Sequence, residues 1–304
     1  MAYYYPPNAS GLSYITYPVG PTADGVVVTA AGSTNTKGSY AQIAASASFT
    51  SNYVSMFTHG GTATDGLEFL FDLAIGAAAS EVVIVANTMV EETGTQDAGK
   101  FGIWMIPLAI PSGSRIAARC QCSTASATCR IALTLNGAGA IPGVPSYTSY
   151  GVNLSDSGGT AVDPGVTIDT KGAYAQMTAS TSAVTQALTL MNTIGGNLVP
   201  QLAIWAIDIA TGAGGAEVVL IPDLRAGAFG LVPEGGPVSP HTQSFLTYIP
   251  ASTRIALRAS CSINNNPDRI FDAGLLAGTA PAEPQGTVVS NKLSIASLPS
   301  VQSY

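Results

Sequence analysis

Residues 67–85 read LEFLFDLAIGAAASEVVIV, and the fold is decided there. Leu67, Phe69, Phe71, Leu73 and Ile75 fall on alternate positions, so one face of an extended segment is apolar. That period of two marks a strand. Gly76 to Ser80 interrupt it with small residues, and Glu81 opens a second β-branched run, so the stretch predicts a hairpin. Residues 208–220, DIATGAGGAEVVL, repeat the same order of residue types: carboxylate, turn of small residues, Glu-Val-Val.

The repeat widens on both sides. SYITYPV (13–19) matches SYTSYGV (146–152), TKGSYAQIAAS (36–46) matches TKGAYAQMTAS (170–180), and IPSGSRIAARCQCS (110–123) matches IPASTRIALRASCS (249–262). The offsets are 133, 134, 136 and 139, rising slowly and in order. A tandem duplication with small loop insertions produces that series. Each copy is far longer than a solenoid unit, so it is a domain in itself. The expected organisation is residues 1–140 and 141–280 as two repeats, IPGVPSY (141–147) as the joint, and 281–304 as an extended arm rich in Pro and Ser.

Within a copy the runs EVVIVANTMV, FGIWMIPLAI and SRIAARCQC are strand-like. Asp24-Gly25, Lys37-Gly38, Asp65-Gly66, Pro111-Ser112-Gly113 and Asn136-Gly137 supply turns. Eight or nine short strands per copy and no helix predict an all-β protein of two tandem jelly-roll-like antiparallel β-sandwich domains with extended termini, a closed barrel being the fallback.

Composition narrows function. Only 10% of the 304 residues are charged, and the net charge is −7. The 11 Lys and Arg are scattered singly, which excludes the clustered basic face that a nucleic-acid partner needs. No apolar run approaches the roughly 18–20 residues of a membrane span. MAYYYPPNAS at the start lacks the basic and apolar regions of a secretion signal, so a soluble protein is expected, with the sequons at Asn8 and Asn153 read as coincidence.

Where charges are this rare, those that recur are informative. Lys37 and Lys171, Asp72 and Asp208, Glu81 and Glu217, Arg115 and Arg254, and Arg119 and Arg258 occupy matched positions. One reading pairs Asp72 with Glu81 as general acid and base, or as a calcium site. The other has Asp72 bonding turn amides and Asp72 or Glu81 pairing with an Arg of the SRIAAR strand. Carboxylates duplicated in both halves fit a scaffold better than a single catalytic site, so no catalytic, cofactor-binding or metal residue is assigned and no cofactor is expected. His59 and His241 lie in unmatched segments and read as loop residues. Trp104 and Trp205 occupy non-equivalent positions and read as core. Cys120, Cys122, Cys129 and Cys261 lack zinc spacing; a hairpin turning at Ala125-Ser126 would set Cys122 opposite Cys129. Gly-x-Ser-x-Gly, Walker A and His-Glu-x-x-His motifs are absent.

TKGSYAQIAAS, DLAIGAAASEVVI and IPSGSRIAARCQ together resemble a repeat domain of structural proteins in tailed bacteriophages and prophages. The resemblance spans both copies, about 250 residues of the chain. It implies a virion component assembled in a host cytoplasm, without enzyme activity. Its expected partners are the major capsid protein or other virion proteins and further copies of itself, with neither nucleic acid nor membrane. A capsid cement or decoration protein is the leading expectation, with Tyr3, Tyr4 and Tyr5 as candidate anchors. The alternative is a tail or fibre protein whose loops, such as SINNNPDR (262–269), bind a host glycan.

Overall fold

The computed structural model describes residues 14–18, 25–60, 67–92, 101–137, 143–193, 203–228, 243–264 and 269–279. The first copy supplies β1 (Tyr14–Tyr17), β2 (Val26–Thr29), β3 (Ala41–Ala44), β4 (Tyr53–Gly60), β5 (Leu67–Ile75), β6 (Val82–Glu92), β7 (Phe101–Ile106), β8 (Ile116–Cys122) and β9 (Thr128–Asn136). The second supplies β10 (Ser146–Tyr150), β11 (Thr160–Val162), β12 (Ala175–Thr178), β13 (Thr185–Thr193), β14 (Ala203–Thr211), β15 (Val218–Ala228), β16 (Gln243–Ile249), β17 (Ile255–Cys261) and β18 (Phe271–Thr279). The chain is all-β.

In the first copy β1-β9-β4-β7 form one sheet, with β2 also on β9, and β3-β8-β5-β6 run side by side in another. The second copy repeats this as β10 and β11 on β18, then β13 and β16, against β12-β17-β14-β15. From β3 to β9 successive strands change sheet at every step except β5 to β6, and from β12 to β18 at every step except β14 to β15, which is jelly-roll connectivity. Those two exceptions are the repeated hairpins. Gly76 and Gly212 open their turns at φ of 117° and 109°, a region that only glycine occupies readily.

Two expectations are corrected by this topology. Strands β8 and β9 are not a hairpin: β8 pairs with β5 and β3, whereas β9 pairs with β1, β2 and β4. Cys122 and Cys129 therefore sit in different sheets, and all four cysteines are buried and unbridged. The turn at Ser126 is a corner, tied by its amide to the Ala31 carbonyl and carrying the chain across the core. His59 belongs to β4, which is held on both edges by β7 and β9, and is not a loop residue.

Alternation builds the cores. In β9, Cys129, Ile131, Leu133 and Leu135 are buried and the intervening residues are half-buried. In β5 and β8 nearly every residue is buried, because the outer faces are covered too. Trp205, standing where the first copy has Phe69, lies against Phe271 with ring centroids 5.1 Å apart, and its indole N–H donates to the Arg269 carbonyl at 2.7 Å. Burying a ring of that size is worth several kcal/mol, about 3–5 by the usual cost of truncation to Ala.

The copies meet through a sheet. Strand β6, at the end of β3-β8-β5-β6, pairs in parallel with β10, and the two sheets merge into one of nine strands. This ladder and the Leu108–Val144 bridge are the parallel pairings among the described residues, both between copies, whereas the pairings within each copy are antiparallel. Residues 143–144 prepare the junction: Val144 pairs with Leu108, exchanging amide bonds of 2.9 Å with Pro107 and Ala109. Tyr147 then inserts, 2% exposed, and its hydroxyl donates to the Pro107 carbonyl at 3.1 Å. Ala187, Met191 and Leu276 of the second copy belong to the same apolar cluster as Val85, Met89 and Tyr147.

Gly278 makes room for this contact. A Cβ there would lie 2.8 Å from Val144 Cγ2 and 2.9 Å from the Tyr147 ring. Gly278→Ala is therefore expected to destabilise the folded chain by about 1–3 kcal/mol through overpacking, read as a lower urea midpoint at unchanged slope. Tyr3 to Tyr5 and the arm 281–304 lie outside the described residues. No helix among the described residues is long and apolar enough to cross a membrane.

Candidate functional site

The recurrent charges converge on the outer faces of β3-β8-β5-β6 and β12-β17-β14-β15. Asp72 lies mid-strand in β5, opposite Arg119 of β8. Its Oδ2 accepts from Arg119 Nε at 2.8 Å, and its Oδ1 from Lys37 Nζ at 2.9 Å. A bulge in the β5–β6 ladder turns the Asn87 amide toward the same Oδ1, at 3.0 Å. Lys37 also donates to the Leu70 carbonyl at 2.9 Å. The Arg119 guanidinium lies over the Tyr40 ring, 4.7 Å from its centroid.

The second copy rebuilds this centre atom for atom. Asp208 accepts from Lys171 Nζ at 2.6 Å, Arg258 Nε at 2.9 Å and the Asp223 amide at 3.0 Å. Lys171 donates to the Ala206 carbonyl, and Arg258 lies over Tyr174 at 4.6 Å. One difference matters: Asp223 replaces Asn87, and its carboxylate forms a second ion pair with Lys171 at 2.9 Å.

A second pair of clamps closes the hairpins. Arg115 Nη1 donates to the Gly76 carbonyl at 3.3 Å and to Glu81 Oε1 at 3.0 Å, bridging the two ends of the turn. Arg254 does the same with Gly212 at 3.1 Å and Glu217 at 2.9 Å. Gln42 and Gln176 orient these arginines by accepting from Nε at 2.9 Å each. The glutamates bond the turn amides, Glu217 that of Gly215 at 2.9 Å and Glu81 that of Ala79, whereas Asp72 and Asp208 bond the facing strand.

The electrostatics follow from these contacts. Burial pushes the Lys37 ammonium down, with Asp72 opposing it. Burial would raise Asp208, but the bonds from Lys171, the Asp223 amide and Arg258 outweigh it and hold the carboxyl below its ordinary value. Glu81 and Glu217 are held down by hydrogen bonds from their own backbone amides and from Arg115 and Arg254, over an opposing desolvation contribution. A carboxylate 4% exposed, ion-paired at both oxygens and held below its ordinary pKa is a poor general base. What Asp208 and its twin Asp72 do chemically is lock three chain segments together. Among the described residues no group of three or more His, Cys, Asp or Glu is placed to hold a metal ion.

The tyrosines and glutamines of these networks were visible in TKGSYAQ and TKGAYAQ, which place both residue types beside the lysine in each copy. Two further clusters have no such trace. Arg269, 7% exposed, pairs with Asp163 at 2.9 Å and donates to the Asn264 carbonyl, tying the SINNNPDR segment, of which residues 265–268 lie outside the description, to the sheet. At the junction between copies, Glu68 of β5 accepts from the Thr193 hydroxyl at 3.3 Å, and Asp272 of β18 accepts from the Gly159 amide at 3.3 Å. A Cβ on Gly158 would lie 2.7 Å from Glu68 Oε2 and 3.1 Å from Asp272 Oδ2, so the two carboxylates share one small space. Burial and then the Asp272 charge push Glu68 up to about 7, and burial also raises Asp272.

The thiols are sealed. Burial, with Cys122 beside it, pushes Cys120 up to about 12, and burial raises Cys122 and Cys261. Alkylation by iodoacetamide at pH 8 is expected to run at least about a hundredfold slower on the native chain than in denaturant, measured by mass spectrometry. The side chains of His59 and Trp104, and all of His241, lie outside the described residues. One open groove, of about 610 Å³, borders the first charge centre, lined by Val27, Thr29, Lys37, Ser39 and Tyr40 among others.

No family model matches the chain, and no curated protein does. Among solved structures it is similar to PNGF-II at 10% identity and a TM-score of 0.37, covering 88% of this chain and 65% of that one. It is similar to a chain of Broad Bean Stain Virus at 10% identity and a TM-score of 0.29, covering 90% and 92%. To infectious bursal disease virus VP2 the values are 12% and 0.17, covering 88% and 71%. At these scores the similarities carry no functional argument.

Proposed function

We propose that the chain is a non-enzymatic structural component of a phage particle, a cement or decoration protein that binds the capsid exterior through protein–protein contacts. The observation that carries this reading is the fate of the repeated charges. In both copies they are consumed in the same intramolecular clamps, so the polar residues that recur most are spent on rigidity. Two jelly rolls fused through one sheet give a stiff body with two similar faces, suited to bridging neighbouring subunits of a shell and to gaining avidity from many copies. The motifs around Lys37, Asp72 and Arg115 supply the virion resemblance. The major capsid protein is the partner this reading requires, with assembly in the host cytoplasm.

The test is to purify particles by density banding and quantify the chain by mass spectrometry. A fixed ratio to the major capsid protein, retained in tail-less heads, is the expected result. Absence from particles would overturn the reading. The groove beside Tyr40 favours one alternative, a tail or fibre protein that holds a host glycan there. In that case the chain would fractionate with tails, and Tyr40→Ala would abolish binding on a glycan array.

A further inference from the structure

The junction between the two copies is heterologous: the β6 edge of the first copy takes the β10 edge of the second. Each partner strand has a twin at the opposite end of the chain, and both twins are terminal strands among the described residues. The twin of β6 is β15, last in β12-β17-β14-β15; the twin of β10 is β1, first in β1-β9-β4-β7. We propose that chains associate head to tail, β15 of one chain pairing in parallel with β1 of a second copy, so that the internal junction is repeated between molecules.

The equivalence of β1 and β10 rests on geometry as well as on sequence. Tyr17 accepts from the Ser48 amide at 3.0 Å and bonds its hydroxyl at 3.0 Å; Tyr150 does the same with Ser182 at 2.9 and 3.2 Å. That fixes Tyr14 as the twin of Tyr147. Tyr147 is 2% exposed in the internal junction, and Tyr14 is 74% exposed. The receiving face shows the same contrast. Ile84 and Val85 of β6 are buried beneath the second copy, while at the twin positions Leu220 is 39% exposed and Ile221 only half-buried. Pro107 and Ala109 receive Val144 and Tyr147; their twins Leu246 and Tyr248 are 61% and 69% exposed. An apolar set that is covered once inside the chain is thus laid open a second time at its end.

The strand count agrees. The shared sheet is the four-stranded layer of the first copy joined to the five-stranded layer of the second. The two layers left over, four strands from the second copy and five from the first, are the same halves, and a head-to-tail contact joins them into another nine-stranded sheet. Several twin positions differ: Asn136 stands where Gly278 admits the Tyr147 ring, Thr134 where Leu276 joins the seam cluster, Thr247 where Leu108 pairs with Val144, and Pro222 and Arg225 where β6 has Ala86 and Met89. The external ladder is therefore confined to Val218–Ile221, with residues 246–248 as its flank. A heterologous contact of this kind closes into a ring or propagates as a filament.

This inference names the self-contact of the assembly reading above, yet it fails separately. The register Tyr147↔Val85 transfers to Tyr14↔Ile221. A tagged Tyr14→Cys chain mixed with an untagged Ile221→Cys chain should give a tagged–untagged product with a short bismaleimide, since the native thiols are buried. Sedimentation of the wild-type full-length chain should show oligomers, and Leu220→Lys with Tyr248→Lys should weaken association at least tenfold at an unchanged melting temperature. A chain that stays monomeric without the mixed product overturns the proposal. So do oligomers that form without it, and so does hydrogen-exchange protection of residues 218–221 in the monomer, which would mean that another part of the same chain fills the edge. Loss of the chain from particles with the cross-link intact would sink only the virion reading.

Discussion

Asp72→Ala is expected to destabilise the folded chain by about 3–5 kcal/mol, the cost of removing one partner from a buried ion cluster. The substitution leaves the largely buried Lys37 and the partly exposed Arg119 without their shared counter-charge, and it strips the Asn87 amide of its acceptor. Asp208→Ala removes the same contacts from the second copy but is expected to cost less, by about 1 kcal/mol, because Lys171 keeps the Asp223 carboxylate at 2.9 Å. Urea denaturation of the two variants measures the difference. Equal losses, or losses below about 1 kcal/mol for both, would show that the clusters do not hold the sheets.

The second large effect is on pH dependence. Glu68 stands at 4.5 when unfolded and is pushed up to about 7 in the fold, so the native chain holds the extra proton between those values. Its contribution is complete below pH 4.5, falls as pH rises, and is gone above about 7. At roughly 1.4 kcal/mol per unit, and discounting for partial exposure, that is about 2–3 kcal/mol lost from the joint. Of the groups facing Glu68, Asp272 and Asp156 add to the shift by like charge, the Thr193 hydroxyl opposes it, and Cys122 is a buried thiol. Glu68→Gln should raise stability by about 2 kcal/mol at pH 8, change little at pH 4, and flatten the slope between them. A slope unchanged in the variant would assign the pH dependence elsewhere.

Particular residues show what the sequence carried and what it did not. LEFLFDLAI announced a strand, the doubled motifs announced one strand order built twice, and the small residues after Ile75 announced the hairpin of β5 and β6. The lost pieces are those in which one local pattern serves two geometries. Cys122 and Cys129 alternate correctly whether their strands pair edge to edge or face each other across a core, so β8 and β9 read as a hairpin when they are opposite walls. SYITYPV and SYTSYGV look alike, yet among the described residues Tyr14–Tyr17 is an edge strand and Ser146–Tyr150 is the seam of the molecule. That distinction depends on Leu108, Val85 and Met191, which are distant in sequence. Glu68 and Asp272 escaped notice because neither recurs, and comparison between copies finds only what was duplicated.

The seam has a mechanical consequence. A ladder that runs unbroken through it, with Ala187, Met191 and Leu276 of the second copy packed into the core of the first, leaves no hinge between the halves, so heating should melt them in one calorimetric event rather than two. A load applied along the chain would meet a plank, and cutting that plank at its middle would leave two raw edges where there had been none.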